Sequence, residues 1–448
     1  MTPRDEKYLQ MTTTPVEKLV SGFAVPSILT MMVGSIYNLV DTFFVGQLDT
    51  QSTAALGVVF SYMGIIQAVA FFFGHGSGNF ISRALGSRQD RDAETMAANG
   101  FFLALLVTAV VAVLCACFMT PVLRAFGATP TVLGPASRYF RYILLGTPFM
   151  VGSFVLNNQM RLQGNAAVAV RGIMTGAILN ILLDPLFIFV LKMGVAGAGL
   201  ATCLAQAVGF FLLLHLSGRN GGIAIRLAHF HPSWSAFREI SAGGLPSLTR
   251  QSLMCLATIC LNNCAGVYGD AALAAFSVVG RVMHLATACV LGFGQGFQPV
   301  CGYNYGAQLY DRVRRAFRFC IMVGTAYCIV AAVLGELFAP SIVRVFRADD
   351  PEVIRIGAMV LRAQCLTYPL TCFVTLTNMY LQNTRQTLPA VIVAAARQGI
   401  FLIPALLVGA SVAGLQGVVI AQPISDVCAF LLCLPLCIHA MRHMESRS

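Results

Sequence analysis

The stretch FGHGSGNFISRALG (73–86) returns in altered form as FGQGFQPVCGYNYG (293–306). The offset is 293 − 73 = 220 residues, and it extends in both directions. It carries Pro26 onto Pro246, Gly46 onto Gly266 and Ala54-Ala55 onto Ala274-Ala275. Later in each copy it reads as 219, which aligns Leu162-Gln163 with Leu381-Gln382 and Pro185 with Pro404. On this register Asp41 faces Leu261 and Asp184 faces Ile403. The architecture is duplicated, but these two acids inside apolar segments belong to one copy.

The repeated segments are those of a membrane protein. Of the 448 residues 57% are hydrophobic and 10% charged, where an ordinary globular chain carries about a quarter charged. Runs such as Gly100–Cys117 contain no charge, and a crossing helix needs roughly 20 apolar residues. The pattern gives about twelve such runs, six per half. Helices are predicted near 19–45, 53–82, 95–118, 133–158, 166–191 and 196–217, then near 238–265, 273–302, 314–338, 353–381, 386–409 and 414–440. The expected fold is all-α and polytopic, with two pseudo-symmetric six-helix bundles around a central cleft. The halves are divided as 1–218 and 238–448, joined by a cytoplasmic linker at 219–237 that holds the only tryptophan, Trp234. An interfacial position suits that indole. An even number of helices per half makes the repeats parallel, not inverted. Glycines at two-residue spacing, Gly74 to Gly78 and Gly292 to Gly296, suit close helix packing. No strand–loop–helix unit precedes them, so they cradle no phosphate.

The net charge of +11 does not point to nucleic acid, because its cations line alternate connections. Arg83, Arg88 and Arg91, Arg161 and Arg171, Arg219, Arg226 and Arg238, and Arg312 to Arg318 crowd one set of loops. The other set has chiefly Arg124, Lys192, Arg344 and Arg347. By the positive-inside rule both termini are expected in the cytoplasm, with the chain multi-pass in the cell membrane. The polar Met1–Lys18 segment has no apolar core of a signal peptide. Most of the fifteen cysteines lie inside apolar segments and read as small hydrophobes, not as disulfides or metal ligands.

An ionisable group at membrane depth is a functional candidate by default, because it is costly unless paired or solvated. Ser27, Thr30, Gly34, Asn38 and Asp41 fall on one helical stripe. Asn180 and Asp184 share a face four residues apart, and Pro185 leaves a carbonyl near residue 181 without its helical donor. Two carboxylates, an amide oxygen and a freed carbonyl form a hard-oxygen set for Na⁺. The same acids can instead share a proton, since like charges held close favour one neutral carboxyl. His75 aligns with Gln295, which favours a packing hydrogen bond over a proton relay. Asp426 matches no acid in the first half and is either a second ionisable site or a hydrogen-bonding group at a kink. Arg250, Arg281 and Arg397 read as cations snorkelling near helix ends. No catalytic triad, metal-ligand spacing or nucleotide loop is visible, so no enzyme, metal or organic cofactor is expected and an ion gradient is the energy source.

At these residues the chain resembles the multidrug and toxic compound extrusion (MATE) family over nearly its whole length. The resemblance rests on Val25–Asp41, on Gly292–Ala307 and on Gly266–Ala275 before it. It implies twelve helices in two lobes and export of cationic or hydrophobic small molecules in exchange for H⁺ or Na⁺ by alternating access. For branches whose cation site lies in the N-terminal lobe, it assigns Asp41, Asn180, Asp184 and Thr202, with Tyr139 and Asn157 joining the network. Branches using the other lobe carry acids where this chain has Asn262, Asn263, Thr371 and Asn378. A candidate drug surface combines Met31, Met32, Tyr37, Phe60, Met63 and Phe154 with Met254 and Phe276 of the second half, because thioethers and aromatic rings suit flat cations. The alternative is a lipid-linked oligosaccharide flippase of the same superfamily, which would want Arg250, Arg281 and Arg397 facing a cavity. The other expected partner is the bilayer, and a monomer is the expectation.

Overall fold

A computed structural model describes residues 2–346 and 350–445, without the side chains of Asn38, Leu39, His443 and Glu445. Arg347 of the sparse loop cations, and the Asn38 side chain of the polar stripe, lie outside the described residues. Every regular element among the described residues is helical. The first half runs α1 (Pro3–Thr13), α2 (Val16–Gly46), α3 (Thr50–Gly86), α4 (Asp90–Cys117), α5 (Met119–Ala125), α6 (Leu133–Leu162), α7 (Ala166–Pro185) and α8 (Val195–Leu216). The second runs α9 (Trp234–Gly266), α10 (Asp270–Gly306), α11 (Tyr310–Phe346), α12 (Pro351–Asn383), α13 (Thr387–Ala395) and α14 (Leu402–Glu445).

Ten stretches are long and apolar enough to cross a bilayer. One is the 56-residue run Thr387–Arg442, which Gly414 divides into two spans by its φ of 61° and ψ of −138°. With α9, diluted by Arg250, Asn262 and Asn263, the spans number twelve. Sequence reading missed α1 and α5. Polar α1 has a capping box, in which the Thr2 side chain accepts from the Asp5 N–H and the Asp5 carboxylate accepts from the Thr2 N–H, and Pro3 opens it. It is held by an ion pair from Arg4 to Glu94 (2.6 Å), by Lys7 donating to Asn165, and by the Arg88 guanidinium 4.3 Å above the Tyr8 ring.

The duplication reaches the backbone. Helices α3 and α10 close alike: Gln89 N–H donates to the Ala84 carbonyl and Leu309 N–H to that of Asn304, each at 2.8 Å. Arg88 and Gln308 take the left-handed conformation these turns need, at φ 58° and 60°. Gly194 repeats the Gly414 break with φ 58° and ψ −137°. These pairs are 220 residues apart. At the ends of α6 and α12 the offset is instead 221, since Asn165 N–H donates to Met160 and Gln386 N–H to Leu381. The 219 register read from Leu162-Gln163 is therefore wrong there, and Gln163 corresponds to Thr384. A two-residue identity misaligned them. Asp184 then corresponds to Pro404 or Ala405, still no acid.

Packing groups the chain into two units: one holds Met1–Thr14 and Leu29–Gly244, the other Pro15–Ile28 and Leu245–Ser448. In the first, α6 contacts α3, α4, α7 and α8; in the second, α12 contacts α10, α11, α13 and α14. This grouping differs from a division at 218 and 238 in the opening turns of α2 and α9, which exchange units. Each exchange falls within three residues of a helix-internal proline, Pro26 in α2 and Pro246 in α9. Glycines admit the exchanged segments. A Cβ at Gly76 would run into the Ile240 carbonyl, and one at Gly292 or Gly296 into the backbone of Ile28 or Ala24. Gly76→Ala is therefore expected to cost about 1–3 kcal/mol through overpacking. Gly57 has nothing within 4 Å of its added Cβ, so Gly57→Ala gains up to about 1 kcal/mol of helix propensity. Thermal unfolding of the detergent-solubilised protein should show Tm shifts of opposite sign.

Candidate functional site

The acids of the first half meet inside the first unit. Asp41 on α2 is 2% exposed, Asn180 and Asp184 on α7 are 0% and Thr202 on α8 is 3%, so the group is sealed in protein. Small residues make that convergence possible. A Cβ on Gly199 would press on the Tyr139 carbonyl at 3.0 Å, and one on Gly197 on Phe187 at 2.7 Å. Their absence lets α8 lie against α6 and α7, with Thr202 one turn beyond. Directly after Pro185 the chain takes a π turn, Leu186–Val190, in which Leu191 N–H donates to the Leu186 carbonyl. Proline removes the regular donor and the helix answers with wider bonding, a feature frequent at functional sites.

Oriented to satisfy both neighbours, the Asn180 amide nitrogen donates to Asp184 Oδ2 (3.0 Å) and its oxygen accepts from the Thr202 N–H (3.3 Å). The Tyr37 hydroxyl donates weakly to Thr202 Oγ1 (3.5 Å) and also faces Gln206, one turn farther along α8. The Tyr139 phenol faces Asp41 and Thr202. Asp184 lies within the electrostatic field of Asp41. One atom stands out: among the described residues, Asp41 Oδ1 is buried and accepts no hydrogen bond. A buried carboxylate oxygen without a donor costs free energy unless a proton or a cation completes it. Carboxylate, amide and hydroxyl oxygens suit a small hard monovalent cation. Among the described residues no three His, Cys, Asp or Glu side chains form a metal cluster.

The structure brings together five of the six sequence-predicted site residues. The exception is Asn157, whose amide nitrogen donates to the Ala169 carbonyl (3.2 Å). Its repeat partner Asn378 donates to Ala390 (2.7 Å) in a unit with no equivalent acids. That twin bond fixes helices to each other and is no part of the acid cluster. Tyr37, expected on the drug surface, belongs to the acid network, and Gln206 was missed. The i, i+4 spacing from Thr202 to Gln206 was the available signal. The polar stripe on α2 is divided, because Ser27 lies in the segment packed with the second unit and bonds back to the Phe23 carbonyl (2.8 Å). Met31, Met32, Phe60, Met63, Phe154 and Met254 are half-buried. Phe276, named with them, is buried at 4% exposure.

Other polar groups find separate partners. His75 Nε2 lies 3.2 Å from Arg161 Nη2, and its ring stacks on Phe71 at 5.2 Å. Arginine can only donate, so this histidine nitrogen accepts in a packing contact. Arg397 is not a snorkelling cation: its Nε donates to Asp426 Oδ1 at 2.7 Å. Trp234, expected in the linker, opens α9; it is 79% exposed and stacks on Phe237. All fifteen cysteines are free.

The MatE family pattern matches residues 26–186 and, a second time, 246–407. The chain belongs to the MATE family. The two matches start 220 residues apart and end 221 apart, following the register of the backbone. The multidrug export protein MepA of Staphylococcus haemolyticus is 26% identical over 434 residues, which cover 96% of this chain and 95% of MepA. The outward-facing structure of a multidrug resistance MATE transporter superposes with a TM-score of 0.91 at 26% identity, covering 98% of both chains. A MATE in the bent conformation gives 0.92 at 25% identity, again covering 98% of both. The chain is a twelve-helix, multi-pass membrane transporter of this family and not an enzyme.

If the Asn157 bond is a helix fastening, Asn157→Ala loses one buried hydrogen bond and Asn378→Ala two, since Asn378 Oδ1 also accepts from Gln382 Nε2 (2.6 Å), at about 1 kcal/mol each. Thermal unfolding should then give a Tm loss for Asn157→Ala no larger than that for Asn378→Ala. A much larger loss for Asn157→Ala would return its amide to the acid cluster.

Proposed function

We propose that this transporter exports organic cations and other amphipathic drugs in exchange for H⁺ or Na⁺. The observation that carries the reading is the pair Asp41 and Asp184, buried together with one carboxylate oxygen left without a donor. The name of the MepA relative, a multidrug export protein, supports the substrate class. In this reading the coupling ion is held by Asp41, Asn180, Asp184 and Thr202, with Tyr37, Tyr139 and Gln206 around them. The half-buried Met31, Met32, Phe60, Met63 and Phe154 of the first unit supply soft apolar contacts for drug.

Coupling requires ion and drug to favour different conformations, because a ligand that binds both equally shifts neither. An ion that neutralises the acids removes the cost of their burial, and so favours the conformation in which they are sealed. Drug favours the other. The loop arginines support cytoplasmic termini by the positive-inside rule, and in this reading the protein works as a monomer in the cell membrane.

Ethidium efflux from proteoliposomes under an imposed Na⁺ or pH gradient tests the proposal. The wild type is expected to respond to one gradient, and Asp41→Asn and Asp184→Asn to lose that response. Gradient-driven efflux that survives in both variants would remove the coupling role from the acids. Absence of organic-cation efflux by the wild type, with binding of a polyprenyl pyrophosphate lipid, would assign the chain as a flippase.

A further inference from the structure

The second unit has its own charged cluster, built differently from the first. Asp426 on α14 is 3% exposed and fully supplied with donors. Its Oδ1 accepts from Arg397 Nε (2.7 Å) and Gln422 Nε2 (2.9 Å), and its Oδ2 from Thr367 Oγ1 (3.0 Å). Arg397 lies on a π turn, Ala396–Ile400, that interrupts the helix after α13. Ser425 donates to the Arg397 carbonyl, which ties the turn to α14.

A carboxylate so furnished has no need of a further ligand. The guanidinium does. With Nε committed to Asp426, its two terminal amino groups have no acceptor among the described residues, and the side chain keeps 20% exposure. Those amino groups form the end-on fork that matches a carboxylate with two parallel hydrogen bonds. In the field of Arg397 stands the Tyr368 hydroxyl, 2% exposed, near Thr287 and Cys328 but short of a well-formed hydrogen bond. Thr371, one turn beyond Thr367 on α12, is likewise buried with an unpartnered hydroxyl.

We infer that Arg397, held in place by Asp426, is a recognition site in the second unit for the carboxylate of zwitterionic or anionic amphipathic substrates. Asp426 is the positioning residue: three donors pin it, and it fixes the plane and direction of the guanidinium. Because the pair is neutral overall, a bound carboxylate gains directional hydrogen bonds but modest net attraction. That suits a carrier, which must also release its cargo. The inference rests on the export reading and extends its substrates beyond cations.

The test reads binding, so that it is separate from ethidium efflux. Rhodamine 110 carries a free carboxylate, and its methyl ester, rhodamine 123, has the same cationic ring. Fluorescence anisotropy with the purified protein gives a Kd for each dye and hence an acid-to-ester ratio. Arg397→Gln should shift that ratio about tenfold toward the ester, equal to about 1.4 kcal/mol. If Arg397→Gln misfolds because Asp426 loses its partner, the double variant Arg397→Gln/Asp426→Asn removes both charges and should show the same shift. An unchanged ratio overturns the assignment, as does a wild type that binds rhodamine 123 but not rhodamine 110, or neither. Loss of ethidium efflux with an intact ratio shift would overturn the export reading and leave the carboxylate site standing.

Discussion

Asp41 Oδ1 is enclosed in protein with no donor among the described residues, and the organisation of the first unit follows from making that tolerable. A carboxylate removed from water must be paired, protonated or bound to a cation. Around Asp41 the fold supplies a second acid and several neutral oxygens, but among the described residues no cation of its own in the acid network. An arginine at this place would have satisfied the charge permanently and ended any dependence on the medium. In the proposed exchange cycle, that leaves an ion from solution to decide which conformation is favoured.

The other unit takes the opposite course. Asp426 is answered by Arg397, Gln422 and Thr367, so it has no unmet demand. Breaking such a buried pair from one side costs several kcal/mol, since the remaining charge is stranded. A fixed pair of this kind serves poorly as a gradient sensor and well as a rigid support. The repeat therefore holds two arrangements of buried charge, one with a carboxylate oxygen left without a donor and one internally balanced.

How much of this could be read from the chain depends on how local each signal is. The spans and the duplication are carried by hydrophobic runs and by Gly and Pro at a fixed offset, both visible in one dimension. Asp41 and Asp184 were visible for the same reason, since an acid in an apolar run has no local explanation. The register near α6 and α12 was misread because Leu162-Gln163 and Leu381-Gln382 are alike in letters, while the helix-closing hydrogen bonds that set equivalence leave no trace in identity. Asn157 shows the same limit. Its type suits a cation site, and only the partner, Ala169, shows that it fastens two helices.

The exchange of the opening turns of α2 and α9 was invisible for a deeper reason. Chain continuity suggests that a helix belongs to the bundle it begins, and no residue type contradicts this. The trace lies in the glycines that receive the exchanged segments: Gly76 against Ile240, and Gly292 and Gly296 against Ile28 and Ala24. From sequence these read correctly as packing positions but named no partner. Since each exchange occurs next to Pro26 or Pro246, the helix changes its company where a regular hydrogen bond is missing. The proline weakens the helix where its two ends belong to different units. Asp41 lies on the same helix, fifteen residues beyond Pro26, so a change of charge at the acid pair acts on a helix whose near end is already committed to the other unit.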